Sequence, residues 1–495
     1  MAKTLAVTAA FVLIGLSSVA GASAPAAASA DDEWAVCDRI PAAYPTPPEG
    51  AVVVEPVDSE VQRQTAAHPR GTTFWLAPGT HTLGEDEYGQ VMPKDGNVYL
   101  GAPGAVLDGR GRNLYAFTGD ATGVVIRDLT VQHFVARRDE GVVNHDSGDG
   151  WIIEHNTIQN NKGAGLMAGA RQEVRGNCLR NNGQYGMNAY KDGELTGLVV
   201  EGNEITGNNV DDWETQLPGC GCTGGVKFWA VDGADIRDNW VHANHGAGLW
   251  ADTNNNDFLF EHNLFEDNEA EALFYETSYN AEVRDNIFRR NTIVMGRRFA
   301  TRGDDFPVGT IYISESGGEP RVPSRFGALD IHDNTFEDNW SGITLWENAD
   351  RYCNSPANTS TGSCTRLVAD PRRCVQPGIS SSPLIDDCRW KTQRVAVHHN
   401  RFLFDPVVFG CERWCGRMAV LSNWGTYPEW SPYKGDVVRQ AVTFSQGNVW
   451  DHNVYVGPWM FTPFDTSRVL GVGAWQAAPY LQDECSVFSL LPAGC

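Results

Sequence analysis

The sequence predicts an all-β fold, one parallel β-helix of stacked rungs, and two observations carry that prediction. The first is an asparagine that returns at one place in a repeat: Glu154-His-Asn156, Arg175-Gly-Asn177, Glu201-Gly-Asn203, Arg237-Asp-Asn239, Glu261-His-Asn263, Arg284-Asp-Asn286, His332-Asp-Asn334 and Val397-His-His-Asn400. Its spacings are 21, 26, 36, 24, 23, 48 and 66 residues, and 48 fits either two rungs or one rung with an insertion. The second is the segment after each asparagine: a short alternating run of Val, Ile, Leu or Phe, then a polar turn such as Gln159-Asn-Asn161 or Arg180-Asn-Asn182. Self-similarity at such a period marks a solenoid. A leucine-rich repeat has this length but needs an L-x-x-L-x-L spine that is missing here. Stacked asparagines satisfy the amides that a tight buried corner leaves over, and the chain has room for roughly ten rungs of such a solenoid.

From the N-terminus, Lys3, the apolar stretch Leu5 to Leu16 and the small residues Ala26 to Ala30 read as a cleaved secretory signal. Ser17 and Ser18 interrupt the apolar run before the ~20 residues that a membrane anchor needs. The expected product is secreted, extracellular and monomeric. Residues 31–70 are expected to be an N-terminal segment and cap, 71–350 the rungs, 351–395 a cysteine-rich excursion, and 396–495 the last rungs and a C-terminal cap. The formal charge of −24 becomes −25 without residues 1–30, because Lys3 is the only charged residue lost. That field repels nucleic acid and anionic membrane surfaces, so neither is expected as a partner. All 12 cysteines follow the signal, and eight lie at or beyond Cys353. In an oxidising compartment they favour disulfides, with the C-terminal third stapled and the middle held by packing.

Phe74-Trp-Leu-Ala-Pro-Gly-Thr-His81 and the segment from Lys94 to Gly109 look like the opening rungs of known coils, and Gly248-Leu-Trp-Ala-Asp-Thr-Asn-Asn255 with Tyr275-Glu-Thr-Ser-Tyr279 looks like later ones in exported proteins. On these residues the chain resembles the pectate-lyase-like superfamily of right-handed parallel β-helix proteins, over about residues 70–350. The resemblance implies the handedness. It is silent on the reaction, since this scaffold hosts lyases, hydrolases, epimerases and non-enzymatic adhesins.

A second alignment falls on the strand after each polar turn: Gly165-Leu-Met-Ala-Gly169, Gly186-Met-Asn-Ala-Tyr190, Gly225-Val-Lys-Phe-Trp229, Gly248-Leu-Trp-Ala-Asp252, Ala272-Leu-Phe-Tyr-Glu276, Thr310-Ile-Tyr-Ile-Ser314 and Gly342-Ile-Thr-Leu-Trp346. Side chains alternate across a strand. Positions two and four are apolar and form a core face, so positions three and five point outward. The outward columns hold Tyr190, Trp229, Trp250, Phe274, Tyr312 and Trp346, two carboxylates and a lysine. Exposed aromatic patches mark binding, and flat rings suit the C–H faces of sugars. These six, with the amides of Asn188 and Asn255, are the expected contacts to an extracellular polysaccharide. The other reading is that loops cover the rings as a second small core. Insertions at Val210–Gly224 and Asn291–Val308 flank the patch, as loops around a solenoid site do.

Asp252 and Glu276 occupy the same position on adjacent rungs, which would bring their carboxyls about 5 Å apart, the spacing of retaining glycosidases. With Lys227 beside them they are the expected catalytic residues of a glycoside hydrolase that needs no cofactor. Two alternatives stand: a polysaccharide lyase with Lys227 as base and calcium on the carboxylates, and a non-catalytic glycan-binding protein, which needs the aromatic column but neither Asp252 nor Glu276; the bland reading of the carboxylates is a surface ion pair clamped by Lys227. Arg289, Arg290, Arg297, Arg298 and Arg302 form a basic cluster that fits the lyase or a solvated loop. His242 and His245 are expected at a solvated corner. Asp211, Asp212 and Glu214 are a weaker cation candidate.

Overall fold

Each coil of the chain contributes one short strand to each of up to three faces, and the same faces stack from coil to coil. The computed structural model describes residues 33–39, 43–191, 195–356, 364–375, 377–422, 431 and 440–491; the expected secretory signal at 1–30 lies outside them. Three parallel sheets of 13, 13 and 10 strands result, with strands ordered in each sheet as they occur in the chain. Strands such as Val125–Arg127, Ile152–Glu154 and Glu173–Arg175 bury only their middle residue, because alternate side chains face the coil interior. Phe265, Phe288, Phe336, Phe402 and Tyr455 stack inside one above another, with centroids 4.5–5.0 Å apart, close to the strand spacing.

The repeat motif is a corner between the first two sheets. The residue before each asparagine is left-handed, as at His155 (φ 56°), Gly176 (57°) and Asp238 (56°). Glycine, Asp and His tolerate that region, which is why these types recur there. The asparagine is then buried, and its Oδ1 accepts both the backbone N–H and the Nδ2 of the asparagine one coil earlier. The ladder runs Asn156, Asn177, Asn203, Asn239, Asn263, Asn286, Asn334, Asn400, Asn453, with bonds of 2.8–3.2 Å. The polar turns hide a second ladder of the same construction at the next corner: Asn161, Asn182, Asn208, Asn244, Asn268, Asn291 and Asn339.

The two longer sheets hold 13 strands, more than the repeat suggested. Strands start at Val52–Val54, inside the segment expected as cap, and the asparagine corner begins only at the fifth coil, so the earlier coils leave no such trace. The helix Glu60–Ala67 buries Val61 and Thr65 at the first coils. At the far end Trp475 stacks on Phe461 with centroids 4.9 Å apart.

Cys353–Cys364, Cys374–Cys388 and Cys411–Cys415 staple the C-terminal region. The expectation that the middle is held by packing alone is corrected by Cys37–Cys178, which ties the N-terminal segment to the second sheet. Among the described residues no helix is long and apolar enough to cross a membrane.

Candidate active site

The third sheet has the register that the repeat alignment requires. Asn188, Lys227, Trp250, Phe274, Tyr312 and Thr344 pair in succession, forming one outward column. The neighbouring column holds Trp229 and Asp252, whose N–H groups bond Ala189 O and Phe228 O at 2.9 Å, then Glu276 paired with Ser314 and Ser314 with Trp346. A groove of about 1040 Å³ lies over the middle of both columns. One wall is the Asn209–Thr223 insertion, braced by Cys220–Cys222. The other is the Asn291–Val308 insertion, folded into a helix at Ile293–Arg302 that presents Phe299 beside Phe306.

Lys227, Asp252 and Glu276 come together on the floor, as the sequence suggested. Lys227 Nζ stands 3.0 Å from Asp252 Oδ2, donates to Gly221 O, and sits 4.2 Å from the centre of the Trp250 ring. Asp252 Oδ1 also accepts from the Thr253 N–H at 2.7 Å and from its hydroxyl at 2.9 Å. Glu276 accepts from Trp250 Nε1 at 2.9 Å and from Arg351, whose guanidinium also lies 3.3 Å from Glu315. Burial pushes the Glu276 carboxyl up, Arg351 pulls it back, and the Asp252 charge raises it further. Burial likewise drives Glu315, bonded by Ser314 and the Asn348 N–H, up to about 7.

Of the six rings expected to contact sugar, Trp229, Trp250, Phe274 and Tyr312 line the groove. Trp250 stacks on Phe274 and Phe274 on Tyr312, each with centroids 4.8 Å apart and planes within 28°, so the faces cover one another and the edges line the groove. Lys227 covers the remaining face of Trp250. Trp229 lines the groove and meets Tyr190 edge-on at 6.4 Å. Tyr190, half exposed, and Trp346, packed on Phe306, stand outside the lining. Two further residues are corrected. Asn255 is fully buried and spends its amide on Phe228 O, Asp252 O and Val231 N–H. Asn188 is buried and donates to Asp139 O at 2.9 Å, so neither amide faces the groove.

The basic cluster divides. Arg289 and Arg290 pair with Glu266, and Arg297 donates to Phe409 O, while Arg298 lines the groove. His242 pairs with Glu204 and His245 with Glu269, both at 3.1 Å, and His245 lines the groove edge. Asp211 pairs with Lys162 and Glu214 accepts the Gly219 N–H, so the acidic loop does not converge on a cation. Of the carboxylates named for calcium, Asp252 stands beside Lys227 and Glu276 beside Arg351. Elsewhere Asp451, His452 and Cys485 place one ligand atom each within 4.8 Å of one another on the last coil.

Sequence reasoning missed Arg351, which stands at the start of the cysteine-rich segment, and Glu271, which lines the groove just before the strand Leu273–Glu276. Arg351 arrives from 75 residues downstream of Glu276, so no local spacing announces it. Glu271 sits on a corner, where the two-residue period no longer tells inside from outside.

The profile of the family described as "Right handed beta helix region" matches residues 140–322. A search of curated proteins returns no match. Among solved structures, the catalytic unit of a thermostable GH87 α-1,3-glucanase from Streptomyces thermodiastaticus is similar at 13% identity over 91% of this chain and 69% of that one, with a TM-score of 0.51. A mannuronic acid specific polysaccharide family 6 lyase from human gut microbiota is similar at 12%, covering 90% and 92%, TM-score 0.49. The A-module of Azotobacter vinelandii mannuronan C-5 epimerase AlgE4 is similar at 14%, covering 61% and 89%, TM-score 0.40. The family match and the glucanase likeness bear on fold and agree with the three parallel sheets: the chain is a right-handed parallel β-helix protein.

Proposed function

We propose that this protein is an extracellular glycoside hydrolase whose groove takes a polysaccharide. One observation carries the reading: Asp252 and Glu276, consecutive in one column, lie together in the groove, each beside a cation. Cleaving a glycosidic bond passes through an oxocarbenium-like state, and paired carboxylates stabilise its positive charge. Lys227 positions Asp252 beside that charge, and Arg351 orients Glu276.

Elimination from a polyuronate fits less well. A base must reach the proton it takes, and Lys227 Nζ is turned instead onto a carboxylate, a carbonyl and a ring face. The glucanase shares the fold and no more, so the hydrolytic reading stands on the carboxylates.

The test is reducing-sugar release by the mature protein from a panel of neutral and acidic polysaccharides. Sugar release without an unsaturated product is expected from the polymer that it cleaves. Asp252→Asn and Glu276→Gln should each lose at least about 10²-fold in kcat with the fold intact by circular dichroism. Unchanged turnover in both variants removes the pair from the mechanism. An ultraviolet-absorbing product would establish elimination instead.

A further inference from the structure

We infer that Glu271 is the proton donor of this site. The inference rests on the hydrolytic reading above and decides which carboxyl gives its proton to the leaving sugar. Glu271 lines the groove at 9% exposure. Among the described residues its carboxyl has no ion-pair partner, and its one hydrogen bond comes from its own backbone N–H.

The other acids near the floor are all compensated. Asp252 has Lys227 and Thr253, and Glu276 has Arg351 and Trp250. Glu315 has Arg351, Ser314 and Asn348, and it stands behind the groove rather than on its surface. A general acid must meet the substrate still protonated near neutral pH, and a cation at hydrogen-bond distance works against that. Desolvation without a counter-charge works for it. Burial brings the Glu271 carboxyl up to about 7, and the nearby Glu276 charge adds to the shift. A buried carboxyl with no partner is costly to a fold, and packing alone would be served by an amide or an apolar residue.

The step balances with water as the only co-reactant. The bond between the anomeric carbon and the glycosidic oxygen breaks, its electron pair stays on the departing oxygen, and that oxygen takes the Glu271 proton. Overall the hydroxyl of one water joins the anomeric carbon, and the remaining proton of that water restores Glu271. Asp252 and Glu276 face the positive charge between these events.

Glu271→Gln is to be compared with the wild type on two substrates: a polysaccharide that the wild type cleaves, and a nitrophenyl glycoside of the same sugars, whose leaving group needs no proton. The expected result is a loss of about 10²-fold or more on the polysaccharide, a rate within a few-fold of wild type on the nitrophenyl glycoside, and loss of the basic limb of the pH profile. Glu271→Asp should recover part of the polysaccharide rate. An equal loss on both substrates, or a polysaccharide rate and basic limb left intact, overturns the role of Glu271 and leaves hydrolysis at Asp252 and Glu276 standing. Absence of sugar release by the wild type across the panel overturns both. Apart from activity, 13C-labelled glutamate in the wild type should show a carboxyl titrating near neutrality that is missing from Glu271→Gln. No such resonance overturns the assignment as well.

Discussion

At the scale of single residues the groove holds two kinds of buried acid, and they respond oppositely to substitution. The Glu271 carboxyl moves from 4.5 to about 7 on folding. Between those values the folded chain keeps a proton that the unfolded chain has released, so the residue costs stability as pH rises through that window. The penalty is roughly 3 kcal/mol at pH 8. Glu271→Gln should therefore resist urea better than wild type at pH 8 and equally at pH 4, and no difference at pH 8 would refute the uncompensated burial. Arg351 is the reverse case. Arg351→Met leaves Glu276 and Glu315 buried together without their shared cation, at a cost of about 3–5 kcal/mol in urea unfolding at pH 8. The loss should shrink on acidification, because burial raises both carboxyls and protonation removes the uncompensated charge.

At the scale of the element, the corner asparagines fix the coil. Asn263 Oδ1 accepts from the Asn239 backbone and side chain at 3.0 and 2.9 Å, and its own amide donates to Ile236 O at 2.9 Å. Asn263→Leu strands a buried N–H and a buried C=O, each worth about 1–3 kcal/mol, so a loss on the order of 3 kcal/mol is expected in denaturant unfolding. A loss below about 1 kcal/mol, the least that one stranded group costs, would mean that the corner holds without its ladder. This ladder was readable because a left-handed residue and a buried amide both restrict which side chains fit. The third sheet's register was readable for a similar reason, since inward residues must be apolar. What the outward rings do was not readable: alternation says that Trp250, Phe274 and Tyr312 point out, but a 4.8 Å stack of rings is a property of neighbouring coils.

At the scale of the whole molecule, a solenoid gains stability from each coil on the next, so long-range crosslinks are its few global constraints. Cys37–Cys178 closes 141 residues, whereas Cys220–Cys222 closes two. Loop-closure entropy for the long link is about 5 kcal/mol as an upper value. Serine at both Cys37 and Cys178 should lower the unfolding free energy by several kcal/mol and loosen the first coils, seen as faster hydrogen exchange before Cys178. Serine at Cys220 and Cys222 should leave global unfolding nearly unchanged and act on the groove wall alone.

The sequence by itself determined the parallel coil, its asparagine corner, the inward apolar face, and the meeting of Lys227, Asp252 and Glu276. Each comes from local rules that repeat with the period: alternation along a strand, tolerance for a left-handed corner, and the satisfaction of buried amides. Only the tertiary structure decided the Arg351 clasp on Glu276, the ring stack that turns its edges to the groove, the burial of Asn188 and Asn255, and the isolation of Glu271. These depend on which insertion folds over which coil, and the contacts that decide them join residues that no repeat spacing relates.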